Sequence, residues 1–239
     1  MISNEQKKIR AGCKDMWNAF MVKGAIFSTN EIPFCPTTAT DVPNDVISYV
    51  EARAMYNHDR KCNQTSLFTN AFVHFYIDDY KFDGKLNGIW NAPQQVAEVL
   101  RHFAGIITPD FSTYADFPIP LKLYNTYRMR AFGYWYGKLG GKVINNVRWG
   151  REETFSYCFD GIEPNSTVAI GTAASGLHKK CNRELFEVGF KEMLKVLKPH
   201  TIIVYGSANY PWFDNIRDHI RIVSFKSETT LRWERVHHE

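Results

Sequence analysis

The stretch "GIITPDFSTY", Gly105 to Tyr114, begins as a short apolar run and breaks at Thr108-Pro109 into an aspartate, a serine and a tyrosine. Three more runs share this form: "VINN" at 143–146, "VAIG" at 168–171 and "IIVYG" at 202–206. Each ends in polar or small residues, and longer segments with apolar residues at helical spacing separate them. Short β-branched runs alternating with helical patterns predict βα units and a mainly parallel sheet.

Working outward, the strands are "AFVHFYI" (71–77), "GIIT" (105–108), "KVINNVRW" (142–149), "STVAIGT" (166–172), "HTIIVYGS" (200–207) and "IRIVSF" (220–225). The intervening helices are "NAPQQVAEVLRHFA", with Val96, Val99, Leu100 and Phe103 on its buried stripe, "PLKLYNTYRMRAFGYWYGKLGG", and "NRELFEVGFKEMLKVLKP". "GREETFSYCFDGIEPN" (150–165) is short for a helical crossover and reads as a single turn or an irregular lid. Five or six βα steps fit an incomplete or elaborated (β/α) barrel or an open doubly wound sheet. The recurrence of short, similar strands favours the barrel-like form.

Residues 1–70 read differently, as an N-terminal cap of helices and loops on an α/β domain spanning 71–239. A helix is expected from Ser3 to Met21, then a proline-punctuated loop, then a second helix capped by Asn44 or Asp45 just before Val46.

The net charge of +4, from 29 basic and 25 acidic residues, permits an anionic partner without requiring one. No signal-peptide core and no stretch of the ~20 apolar residues that a membrane span needs is visible, so the expectation is a cytoplasmic protein without membrane contact. The five cysteines form no C-x-x-C and read as reduced structural thiols, although His58, Cys62 and His74 lie in one region where a metal cluster could assemble.

In both architectures ligands bind at the carboxyl ends of the strands. Asp78, Asp79 and Asp110 stand there as candidate catalytic groups. Ser112, Tyr114, Arg148, Trp149, Thr172 and Gly206 stand there as candidate ligand-binding residues. Asn125 and Arg128, three apart, share a helix face just after the Asp110 loop, which makes Arg128 a predicted partner for Asp110 or for an anionic ligand. Such a rim suits acid/base work, anion recognition or a hard cation such as Mg²⁺, and it selects none of them. Each residue also has an ordinary reading: Asp78 and Asp79 as helix caps, Asp110 as a turn residue. "GTAASGLHKK" (171–180) has the glycine spacing of a phosphate loop, but Leu177 and His178 stand where that motif needs Lys and Ser or Thr.

The segments "VHFYIDDYKFDG", "GIITPDFSTYADFPIPLKLYNTYRMRA", "GKVINNVRWG", "SYCFDGIEPNSTVAIGT" and "KPHTIIVYG", within residues 72–206, resemble the phage and mobile-element family called domain of unknown function 4417. That resemblance implies a mobile-element origin, a bacterial host cell as the setting, and nucleotides, nucleic acid or host defence as subject matter. It implies no reaction. The expected function is an enzyme acting on a glycosidic or phosphoester bond of a nucleotide or nucleic acid. The alternative is a non-catalytic protein binding nucleic acid, a nucleotide or a host protein.

Overall fold

The computed structural model describes residues 15, 17–61, 69–86, 88–173 and 175–237. Among them, seven strands form one sheet: β1 (Val46–Ser48), β2 (Thr69–His74), β3 (Phe103–Ile107), β4 (Val143–Asn146), β5 (Thr167–Gly171), β6 (Thr201–Tyr205) and β7 (Arg221–Phe225). Every neighbouring pair is parallel, and the spatial order is the chain order. A doubly wound sheet requires that order to reverse at a switch point, and here it never does. Right-handed crossovers advancing in one direction put the helices on one face, so the sheet curls into a half-barrel.

Three residue clusters show the layering. On the outer face, α3 (Pro93–Leu100) and α4 (Ile119–Lys138) pack Val96, Leu100, Met129 and Phe132 with Val73, Ile106 and Val143 of the sheet. α5 (Lys180–Leu197) does the same with Phe186, Phe190 and Met193 against Val168, Ile170, Ile202 and Val204. The inner face gathers Phe72, Tyr76, Ile107, Ile144, Ala169, Ile203 and Tyr205, a cluster to which no helix contributes. Strands buried on both faces must be apolar almost throughout, which is why β6 is buried at all five positions.

The N-terminal part departs from expectation. Most of the helix predicted from Ser3 to Met21 lies outside the described residues; within them Ala19–Val22 is a 3₁₀ turn whose Ala19 amide donates to the Asp15 carboxylate. The helix predicted to start at Val46 instead begins at Tyr49, because Val46–Ser48 pair with Phe72–His74 as the edge strand β1. Ser48 and Glu51 form a capping box at the start of α1 (Tyr49–Lys61): the Ser48 hydroxyl donates to Glu51 at 2.9 Å and receives the Glu51 amide. β1 and α1, inside the stretch read as a cap, thus supply a strand and a helix to the sheet. Residues 33–39 run along β4, where the Thr38 amide donates to the Val143 carbonyl and Asn145 donates to the Cys35 carbonyl.

Phe103 opens β3 instead of closing α3, since α3 ends at Leu100. Glu152–Thr154 make one 3₁₀ turn in the short crossover. Short helix α2 (Asp79–Phe82) begins directly after Asp78, at the place where the ordinary reading put a helix cap, though the Asp78 side chain makes no capping hydrogen bond; α6 (Pro211–Asp214), and α7 (Glu228–His237) after β7, have no counterpart in the sequence reading.

Candidate rim site on the half-barrel

Beyond β3 the chain stays extended. Thr108 donates its amide to Ile144 at 2.9 Å and accepts the Asn146 amide on its hydroxyl at 2.8 Å, so Asp110 arrives next to the end of β4. There its carboxylate accepts hydrogen bonds from Asn146 Nδ2 at 2.8 Å and Arg148 Nη1 at 3.0 Å. The Tyr76 hydroxyl donates to Asn146 Oδ1 at 3.0 Å, which fixes the amide so that its nitrogen faces Asp110. Tyr76 in turn stacks on Tyr205, with centroids 5.0 Å apart, and His74 lies 4.2 Å from Tyr205.

This chain of polar groups sits in the apolar interior. Burial raises the Asp110 carboxyl above its ordinary value, opposed by the Arg148 charge and the Asn146 hydrogen bond. Burial also holds His74 down to about 3, so its imidazole is neutral and its Nδ1 accepts the Tyr76 amide.

A second network uses the other predicted residues. Asp79 is bonded by Ser112 through both amide, at 3.1 Å, and hydroxyl, at 2.7 Å. Asn125 donates to the Ser112 carbonyl, Arg128 donates to Asn125 Oδ1, and Arg128 pairs with Asp83. The guanidinium lies 3.8 Å from the Phe111 ring centroid. The predicted pairing of Arg128 with Asp110 is therefore corrected: Arg148 is the partner of Asp110, and Arg128 braces the Ser112 loop against Asp83. Asp78 points to neither network; it is exposed and pairs with Lys81 at 2.9 Å.

A cavity of about 280 Å³ opens at the rim, walled by Thr113, Tyr114, Arg148, Trp149, Gly150, Ser175 and Asn182 among others. Arg148 is its cationic wall, and Asp110 stands behind Arg148. Thr113 is 3% exposed, and among the described residues its hydroxyl has no hydrogen-bond partner. Under the neighbouring loop, the buried Lys122 donates to the Ala115 carbonyl and to Glu153, both at 3.1 Å, tying the two sides of the cavity mouth together.

Thr172 and Gly206 serve the loops that follow β5 and β6. The Thr172 hydroxyl donates to the Ser207 carbonyl at 2.9 Å, and Gly206 holds φ +115° where a side chain would collide with that hydroxyl. Trp149 leans on Phe186, 5.0 Å between centroids, and on the bare backbone of Gly189 in α5. A Cβ at Gly189 would overlap the indole. Gly189→Ala is expected to cost about 1–3 kcal/mol of overpacking, against a helix-propensity gain of about 1 kcal/mol, measured by urea unfolding. A gain of about 1 kcal/mol, the helix-propensity effect alone, would show that Trp149 is free to leave its seat.

Sequence reasoning missed Tyr76, Asn146, Thr113, Lys122 and Asn182. Asn146 left a signal, since asparagine is depleted in strands and "VINN" places two at the end of one; the others left none. Cys35 and Cys158 are buried free thiols that burial pushes up to about 12, and Cys181 is exposed. Cys62, of the suggested His–Cys cluster, lies outside the described residues, and His58 is exposed. Among the described residues no group of three or more His, Cys, Asp or Glu side chains is placed to hold a metal ion. None of the described helices is long and apolar enough to cross a membrane.

An all-parallel half-barrel with its polar groups gathered at the strand ends defines an α/β protein of barrel type. The chain belongs to the family described as "Domain of unknown function (DUF4417)", whose model matches residues 26–226. It is 33% identical over 139 residues to the Gene 1 protein of Mycobacterium phage L5, covering 58% of each chain. To the Gene 1 protein of Mycobacterium phage D29 it is 31% identical over 180 residues, covering 74% of this chain and 64% of that one. The chain thus spans 58% and 64% of these phage relatives. No solved structure matches it.

Proposed function

We propose that the rim cavity binds a nucleotide, or one nucleotide unit of a nucleic acid, with Arg148 taking the phosphate, inside an infected bacterial cell. The observation that carries this reading is the Arg148 guanidinium in the cavity wall, held in place from behind by Asp110. Arginine recognises phosphate through paired N–H donors, and a guanidinium already oriented loses less freedom on binding. The phage relatives support the setting and not the ligand.

One observation favours a catalytic extension of the same reading. A buried carboxyl with a raised proton affinity, one residue away from open space, is characteristic of reactive sites. A phosphate taken by the remaining N–H groups of Arg148 leaves Nη1 paired with Asp110, which stays ionised one residue away from the bound unit. In that role the carboxylate stabilises positive charge growing at the anomeric carbon as the C–N bond to the base breaks. Water then supplies the hydroxyl at that carbon, and the base leaves with a proton. Asp79, bonded twice by Ser112, is occupied in bracing the loop, so Asp110 is the carboxylate this reading uses.

Titration calorimetry with nucleoside mono-, di- and triphosphates tests the binding. Arg148→Met is expected to weaken it about 10- to 100-fold, the scale of a charge-assisted hydrogen bond. Because that variant leaves Asp110 unpaired, the charge-neutral pair D110N/R148M is measured beside it. Binding that survives in both variants would overturn the assignment, as would the absence of any nucleotide binding by the natural protein.

A further inference from the structure

The surroundings of the cavity carry features that a free nucleotide would not use. On one side lies the start of α5, an 18-residue helix with no acidic residue in its first turn and no side-chain cap. Lys179 and Arg183 stand there, four apart and hence on one face, next to the face whose Asn182, Leu185 and Phe186 line the cavity. Both are exposed, and among the described residues neither makes an ion pair. Among the described residues, Lys180 beside them pairs only with Glu184, at 3.8 Å.

Cations at the start of a helix oppose its dipole, so the fold gains nothing from them there. An anion outside the cavity would. On the other side, Tyr114 is 49% exposed although it is a large ring, and its face lies 5.8 Å from the Arg148 guanidinium. Asp116, also exposed, makes that side unsuitable for phosphates and leaves it to an uncharged group. Between the two sides, the cavity has room for one small unit.

Resting on the nucleotide reading of the cavity, we infer that its ligand is one unit of a single-stranded polynucleotide. The flanking phosphates run over Lys179 and Arg183, and a neighbouring base stacks on Tyr114. A strand bound this way uses a charged track on one side and an aromatic platform on the other, the combination by which single strands are held without sequence readout.

The test measures fluorescence anisotropy with a labelled 12-mer of single-stranded DNA and of RNA, in competition with a mononucleotide, a duplex and polyglutamate of similar charge. The single strand is expected to bind at least about tenfold more tightly than the mononucleotide. In K179E/R183E the ratio of the two affinities should shrink about tenfold, and the dependence of log affinity on log salt should flatten by about 1.4, two single-strand phosphate contacts' worth. Y114A should lower single-strand affinity about 5- to 150-fold, roughly the value of one stacked base. Single-strand binding no tighter than the mononucleotide's, or untouched by the charge reversal, overturns the polymer assignment and leaves the cavity reading standing. Equal displacement by polyglutamate overturns it too, in favour of an acidic protein partner. If neither strand nor mononucleotide binds, both readings fail together.

Discussion

Arg130→Met is expected to lose about 3–5 kcal/mol of stability, the largest effect of any single substitution proposed for this fold. Arg130 lies in the middle of α4 with 0% exposure, and its partners are all backbone carbonyls: Asp160 at 3.1 Å from Nε, Asn146 at 3.0 Å from Nη1 and Cys158 at 3.3 Å from Nη2. Burial draws the guanidinium down to about 10, which still leaves it charged at neutral pH. Methionine fills much of the space but leaves the buried carbonyls of Asn146 and Cys158, and the part-buried one of Asp160, without this donor, and each orphaned buried group costs about 1–3 kcal/mol. Arg130→Lys keeps the charge and loses the planar fork that reaches three diverging acceptors, so it should fall between the two. Urea unfolding and thermal melting read this out, with a fall of roughly 10 °C expected for the methionine variant. A melting point within a few degrees of the natural protein's would show that water replaces the guanidinium.

The consequence reaches the rim. One of the three carbonyls is that of Asn146, whose side chain orients Asp110, so Arg130 clamps the end of β4 from the helix side while the site forms on the other. Neither arrangement was legible in the sequence. The strands were, because a parallel sheet covered on both faces writes itself as apolar runs. β1 was not, because three residues leading directly into a helix look like that helix's first turn.

The site divided in the same way. Asn125 and Arg128 were correctly placed together by their spacing, and a 2.6 Å hydrogen bond joins them. The choice of carboxylate depends on contacts between residues far apart in the chain. Asp83 follows α2 and reaches Arg128 across 45 positions, and Arg148 reaches Asp110 across 38. Helical periodicity carries no information at those separations. It was the termini of strands, recognised from the pattern, that put Asp110 and Arg148 on one rim, and the fold that chose them for each other.

Asp110→Asn separates what the carboxylate does for the fold from what it does for a ligand. Burial raises the Asp110 carboxyl from its ordinary 3.8 even with Arg148 opposing, so the folded protein holds that proton more tightly than the unfolded chain does. A raised folded value means that this group favours the folded state most at pH below 3.8, and that the contribution is lost as pH rises through the folded value. Asparagine, neutral at every pH and of the same shape, keeps it. Stability curves from about pH 4 to about pH 8 should therefore diverge upward, the variant gaining on the natural protein as pH rises. A divergence of opposite sign would mean that the Arg148 pair outweighs burial and that the carboxylate is there to stabilise the fold. For the ligand, removing the carboxylate that holds Arg148 in place leaves the guanidinium less oriented, so nucleotide affinity should fall by roughly 2- to 10-fold without being abolished. If Asp110 acts on the bound unit, release of base from nucleotide or oligonucleotide substrates, followed by chromatography, should fall by roughly 100-fold or more in a variant that still binds. Release unchanged in D110N would remove the catalytic extension and leave Asp110 as the group that positions Arg148.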